Sequence, residues 1–131
     1  MLNKSFTLIE LLVVIIIIGI LAALALPGFG VSKERVLDKE AKATLALIQA
    51  AEKIYKMEAG AYYPSSGTTS VVNDINTYLR VNLPTGALSW TYEVDGDNVE
   101  STASRNPGAT RVWTLTHTGS TPACTGTGCP P

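Results

Sequence analysis

"SFTLIELLVVIIIIGILAALALP" occupies residues 5–27 and decides how the chain is organised. From Leu11 to Leu26 every residue is apolar or glycine, and the stretch counted from Phe6 runs for 21 residues with a single charge, Glu10. At about 1.5 Å of rise per residue a helix of that length spans roughly 30 Å, the thickness of a bilayer's hydrocarbon core. It can cross a membrane once. Lys4 precedes it and the next basic residue is Lys33, so the leader "MLNKS" is expected to stay in the cytoplasm, oriented only weakly by one lysine. A secretory signal peptide is the competing reading, with "LAALALPGF" as its small-residue exit. The length of the run argues against it, as do Thr7 and Glu10 at its start.

The rest of the composition narrows the function. Ten basic residues against eleven acidic ones leave a net charge of -1 in 131 residues, which offers nothing for a polyanion. No nucleic-acid partner is expected. The overall apolar fraction of 46% is concentrated in the first thirty residues, and the remainder, rich in Thr and Gly, must build a small core. No internal repeat is visible.

"SFTLIELLVVIIIIGILAALALPGF" resembles the N-terminus of type IV pilins and of the pseudopilins of type II secretion systems. The resemblance is close over residues 1 to about 30: a short basic leader, Phe-Thr-Leu-Ile-Glu, then a long apolar helix with Gly19 and Pro27. Beyond that only the layout agrees. The resemblance implies an inner-membrane single-pass precursor whose leader, residues 1–5, is cut by a prepilin peptidase between Ser5 and Phe6. It also implies N-methylation of Phe6, and inner-membrane machinery that assembles copies into a homopolymer. Family members normally carry Gly before the cut, and Ser5 departs from that pattern. The assembled form would be an extracellular type IV pilus or, alternatively, a periplasmic pseudopilus. A monomeric membrane-anchored binding module is a further alternative.

Glu10 carries the assembly reading. A carboxylate near a bilayer centre costs about 2.5 kcal/mol or more, so it calls for a partner. The resemblance implies the Phe6 amine of a neighbouring subunit, and stranding either charge costs about 3–5 kcal/mol. Snorkelling of Glu10 to the headgroups is the competing reading. Pro27 withholds a helical hydrogen bond and Gly19 favours unwinding, so the stretch between them can kink or, as the resemblance implies, extend on assembly.

The expected fold is α+β: a long N-terminal helix, apolar in its first half and amphipathic in its second, packed against a small antiparallel sheet as in the type IV pilin fold. The expected segments are a core helix at 6–30 and a globular head at 31–131. The head divides into a helix at 31–59, a connecting loop at 60–87, and the sheet with its C-terminal loop at 88–131. Leu37, Ala41, Leu45, Ile48, Ala51 or Glu52, and Tyr55 recur at helical spacing as a buried face. Asp38 with Lys42 and Glu52 with Lys56 stand at i,i+4 and read as a solvated face. Gly60 ends the pattern.

Within the connecting loop, Val71, Ile75 and Leu79 suggest a short helix capped by Ser70. Leu88, Trp90, Tyr92 and Val94 alternate as a half-buried strand. "DGDN" at 95–98 turns the chain, and Val99 begins the return strand. "TRVWTLTHT" gives another strand, with Trp113 and Leu115 on one side.

The remaining candidates are weaker as chemistry. Asp95 and Asp97 cluster oxygen ligands that suit calcium, although acidic turn residues are also ordinary hairpin chemistry. His117 has no nucleophile or carboxylate at a recognisable spacing and reads as a surface strand residue. The tyrosines and tryptophans read as core or subunit contacts. Cys124 and Cys129 can close a short ring worth roughly 2 kcal/mol, which implies an oxidising compartment. Free thiols, or a metal shared with His117, are the alternatives. "CTGTGC" also resembles the disulfide-closed loop of type IV pilins. Neither a cofactor nor an enzymatic activity is expected.

Overall fold

A computed structural model describes residues 5–25, 29–86, 89–108 and 110–130. Pro27 and Leu88, both singled out above, lie outside the described residues. The chain divides into two compact units, residues 1–36 and 37–131.

In the first unit, helix α1 runs over Leu8–Ala25 and buries none of its residues. It is the one described helix long and apolar enough to cross a membrane. Helix α2 spans Phe29–Ala59 and continues into the second unit. Its end is the expected one, because Gly60 adopts a left-handed φ of 83° while its N–H donates to the Lys56 carbonyl at 2.9 Å.

The second unit adds β1 (Thr68–Thr69), α3 (Val72–Leu79), β2 (Trp90–Asp95), β3 (Glu100–Arg105), β4 (Arg111–Thr116) and β5 (Ala123–Gly126). The five strands form an antiparallel meander in the order β1-β2-β3-β4-β5. This is the expected α+β arrangement, a helix laid on a small antiparallel sheet. Strands β1 and β5 are additions that the alternation of residues did not signal, being only two and four residues long.

Packing explains why these residues hold together. Ala41, Leu45, Ile48 and Ala51 of α2 meet Trp90, Tyr92 and Val94 of β2, Ala103 of β3, and Trp113 and Leu115 of β4. The register places Tyr92 opposite Ala103 and Ala103 opposite Trp113. A methyl group therefore lies between two large rings, the alternation of small and large side chains that close packing favours. Trp90 Nε1 donates to the Leu37 carbonyl at 3.0 Å, so the ring is hooked to the helix as well as buried against it. Helix α3 contributes Ile75 and Leu79 to the same core. Asn76 holds the following loop through two bonds, Leu83 N–H to its Oδ1 at 2.7 Å and its Nδ2 to the Leu83 carbonyl at 2.9 Å.

Several expectations need correction. The N-cap of α3 is Val71 rather than Ser70, and no side chain caps the helix. The Val71 carbonyl instead accepts from Asp74 and Ile75, and its side chain stays exposed. The return strand begins at Glu100, one residue later than expected, because Val99 sits in the turn at a φ of 57°. That strained conformation is held by its carbonyl, which accepts the His117 N–H at 2.8 Å. Asp38 is buried rather than part of a solvated face, and Glu52, whose spacing fitted both the buried stripe and the solvated face, is buried together with Ala51. Their intended partners do other work: the Lys42 ammonium lies 4.0 Å from the Trp113 ring centroid, and that of Lys56 lies 4.3 Å from Tyr62.

His117 is the clearest reversal. It lies just beyond the end of β4, fully buried, with Nε2 2.8 Å from Ser101 Oγ and its ring 4.9 Å from that of Tyr62. The side chain continues the inward row of Arg111, Trp113 and Leu115, which places it beneath the loop that follows α2.

Candidate functional site

The candidate assembly segment begins with residues in exposed, non-helical backbone. Ser5, Phe6 and Thr7 precede α1, and all three are exposed. Thr7 then starts the helix. Its Oγ1 accepts the Glu10 N–H at 3.3 Å, and its carbonyl accepts from Glu10 at 3.1 Å and Leu11 at 3.2 Å. A threonine followed three residues later by glutamate is the spacing of a capping box, and Phe6 and Leu11 flank it at the positions of a hydrophobic staple. The functional stretch is therefore also a helix-initiation signal. Sequence reasoning passed over Thr7 as a mere polar interruption, although the Thr-x-x-Glu spacing was there to be read.

Phe6 lies before the cap, whereas Glu10 stands in the first turn, where a carboxylate favours the positive end of the helix. Their side chains are not preset by helical i,i+4 geometry. Gly19 lies inside α1 in unbroken helix, and a Cβ placed there would meet nothing within 4 Å. Among the described residues, no neighbouring side chain requires glycine at that position.

In the second unit Cys124 and Cys129 are joined by a disulfide, with Cα atoms 5.9 Å apart. The ring is tied back to the body of the unit, because Arg111 Nη1 donates to the Gly128 carbonyl at 2.8 Å while its Nε lies 3.1 Å from Asp38 Oδ1. Trp113 Nε1 donates to the same carboxylate oxygen at 3.0 Å. One acid on α2 thus organises strand β4 and, through Arg111, the C-terminal loop.

The acidic turn uses its oxygens internally. Asp95 accepts from the N–H groups of Asp97 and Asn98, each at 2.9 Å, and from Asn98 Nδ2 at 2.7 Å. Bonds from the Asn98 backbone and side chain hold the Asp95 carboxyl below the usual range. Asp97 Oδ2 accepts from Gly67 N–H at 2.8 Å, which stitches the hairpin to the loop leading into β1. Among the described residues, no three or more His, Cys, Asp or Glu side chains gather as a metal-binding group.

Residues 1–26 match the model of the prokaryotic N-terminal methylation motif. The chain is 45% identical over 60 residues to the type IV major pilin protein PilA of Myxococcus xanthus, a match covering 46% of this chain and 27% of that protein. These findings support the pilin and pseudopilin family. Type II secretion system core protein G of Escherichia coli is 35% identical over 64 residues, 49% of this chain and 43% of its own length. Competence protein ComGC of Streptococcus pneumoniae is 38% identical over 55 residues, 42% of this chain and 51% of its own. The chain spans between 27% and 51% of the length of such relatives. No solved structure matches it. A pilin-type precursor with an apolar N-terminal helix fits membrane anchoring, and the exposed face of α1 is what such an anchor presents to lipid.

Proposed function

We propose that this chain is the structural subunit of a type IV pilus, polymerising through α1 after a prepilin peptidase removes residues 1–5. The observation that carries the reading is α1 itself, an 18-residue apolar helix with no buried residue and one carboxylate in its first turn. Such a surface is stable in lipid or against copies of itself, and unstable in water. The exposed, non-helical backbone around Ser5 and Phe6 supports access by a peptidase.

Cleavage would give Phe6 a positive amine at the positive end of its own helix, an unfavourable placement. The Glu10 carboxylate of an adjacent subunit would neutralise it, and the cost of a stranded charge, about 3–5 kcal/mol, would reject wrong staggers. N-methylation of Phe6 leaves that amine basic. Before assembly the chain would be a single-pass inner-membrane precursor, handled by membrane assembly machinery; afterwards it would lie in an extracellular filament.

A pseudopilin of a type II secretion system is the second reading, favoured by the similarity to core protein G. Long surface filaments decide for the pilus, and a periplasm-limited assembly needed for protein export decides for the pseudopilus. The central test expresses Glu10→Val and wild type side by side, with electron microscopy of sheared surface material and mass spectrometry of its N-terminal peptide. Wild-type filaments beginning at methylated Phe6, lost in Glu10→Val, are expected. Normal filaments from Glu10→Val would sink the charge pairing.

A further inference from the structure

The hydrogen bonds at the start of α1 fix where the helix begins relative to the bond a peptidase would cut. Among the described residues, the first carbonyl to accept bonds from the helix is that of Thr7, which takes them from Glu10 and Leu11. The Ser5 and Phe6 carbonyls accept none. The Thr7 hydroxyl supplies the side-chain cap by accepting the Glu10 N–H at 3.3 Å. The Ser5–Phe6 peptide is left exposed and outside the helix.

Ser5 makes that boundary a contest. Serine caps helices somewhat better than threonine, and it stands two residues upstream. If α1 began there, the Ser5 carbonyl would accept the Ile9 N–H, because an N-cap carbonyl takes the first bond of the helix. That is the carbonyl hydrolysis has to reach: water adds at its carbon, the C–N bond to Phe6 breaks, and the nitrogen leaves with a proton as the new amine. A helical bond would hold its oxygen within the first turn.

Two features of the sequence tip the contest towards Thr7. Three positions on from Thr7 is Glu10, the acid of a capping box and a charge suited to the positive end of a helix, whereas three positions on from Ser5 is Leu8. The residues that flank the cap as a hydrophobic staple are Phe6 and Leu11 for a start at Thr7, but Lys4 and Ile9 for a start at Ser5.

We infer that Thr7 is a positioning residue for processing: by capping α1 it keeps the Ser5–Phe6 bond outside the helix and the Ser5 carbonyl free for the peptidase. The dependence on Thr7 follows from Ser5, a competing cap at the very residue before the cut. The inference rests on the proposed cleavage after residue 5.

The test follows cleavage of the full chain in membranes holding a prepilin peptidase, sampled over time by mass spectrometry of the N-terminal peptide. Thr7→Ala, which removes the cap and favours helix, should slow the cut by about fivefold, and Thr7→Ser should restore the wild-type rate. Adding Leu8→Pro to Thr7→Ala should recover the rate without any hydroxyl, because proline suits the first helical position and keeps the residue before it out of helical backbone. With the full chain in micelles, the Phe6 Cα chemical shift should turn helical in Thr7→Ala and revert in the double variant. Equal cleavage of Thr7→Ala and wild type would overturn the inference. So would slow cleavage of the Leu8→Pro double variant, which would mark the hydroxyl as a direct peptidase contact, or slow cleavage of Thr7→Ala with an unchanged Phe6 shift. In each of these cases a wild-type chain cut between Ser5 and Phe6 leaves the processing itself standing. A wild-type chain left uncut there would refute the processing, and the inference with it.

Discussion

Arg111 Nε lies 3.1 Å from Asp38 Oδ1, and both side chains are buried between α2 and the sheet. The same guanidinium holds the Gly128 carbonyl, and the same carboxylate oxygen accepts from Trp113. An ion pair of this kind contributes little over an apolar substitute, but removing Asp38 takes away the carboxylate that faces a buried guanidinium. Asp38→Leu is expected to destabilise the protein by about 3–5 kcal/mol, checked by denaturant unfolding. Asp38→Leu combined with Arg111→Leu should recover part of that loss. A double variant no more stable than Asp38→Leu alone would contradict this account.

Glu52 and His117 predict a particular pH dependence. Burial pushes the Glu52 carboxyl up to about 7, against the partial counter-effect of the Tyr63 N–H, which donates to Oε2 at 2.9 Å. Burial, and then the charge of Lys53, pushes His117 down to about 4, with Asp95 opposing. Glu52 in the folded chain binds a proton that the unfolded chain has already released between pH 4.5 and 7, so its contribution to stability falls as pH rises through that window. His117 behaves oppositely: the unfolded chain binds the proton first as pH falls from 6.5 to 4, so stability is lost on acidification. The two slopes largely cancel in the wild type. Glu52→Gln should remove one, leaving stability to fall by about 2–3 kcal/mol between pH 6.5 and 4, measured by chemical denaturation at successive pH values. A Glu52→Gln profile as flat as that of the wild type would disprove the opposition.

The disulfide closes a six-residue ring, Cys124 to Cys129, at the sheet's last strand. Reduction, or Cys124→Ser with Cys129→Ser, should lower stability by about 2 kcal/mol. Hydrogen exchange should rise first in β5 and around Gly128, whose carbonyl Arg111 holds. Unchanged protection at the C-terminal strand after reduction would speak against the ring as its fastening.

Gly96 sits where the hairpin tip meets Pro64, and a Cβ added there would overlap the Pro64 carbonyl oxygen and carbon. Its N–H also donates to the Gly67 carbonyl at 3.1 Å. Gly96→Ala is expected to destabilise by more than about 2 kcal/mol, visible as a lower thermal midpoint, because backbone has to shift to admit the methyl group. Asp97→Ala, which removes only the exposed bond to Gly67, should cost about 1 kcal/mol or less.

What the sequence by itself determined were the features that local chemistry dictates. Twenty-one residues with one charge commit α1 to an apolar surroundings, Gly60 stops α2, and alternation in Trp90, Tyr92 and Val94 gives β2 its inward face. The spacing of two cysteines sufficed to suggest a ring. Tertiary structure alone decided the fates of Asp38 and His117, and it chose burial for Glu52 where helical spacing allowed either face. A charged residue at i,i+4 from a lysine looks solvated until a partner arrives from a distant strand, as Arg111 and Trp113 reach Asp38 from 73 and 75 positions away. A histidine beyond a strand's end looks exposed until the loop after α2 closes over it. Burial is a property of what packs on a residue from elsewhere in the chain, and hydrophobic periodicity records only the residue's own element.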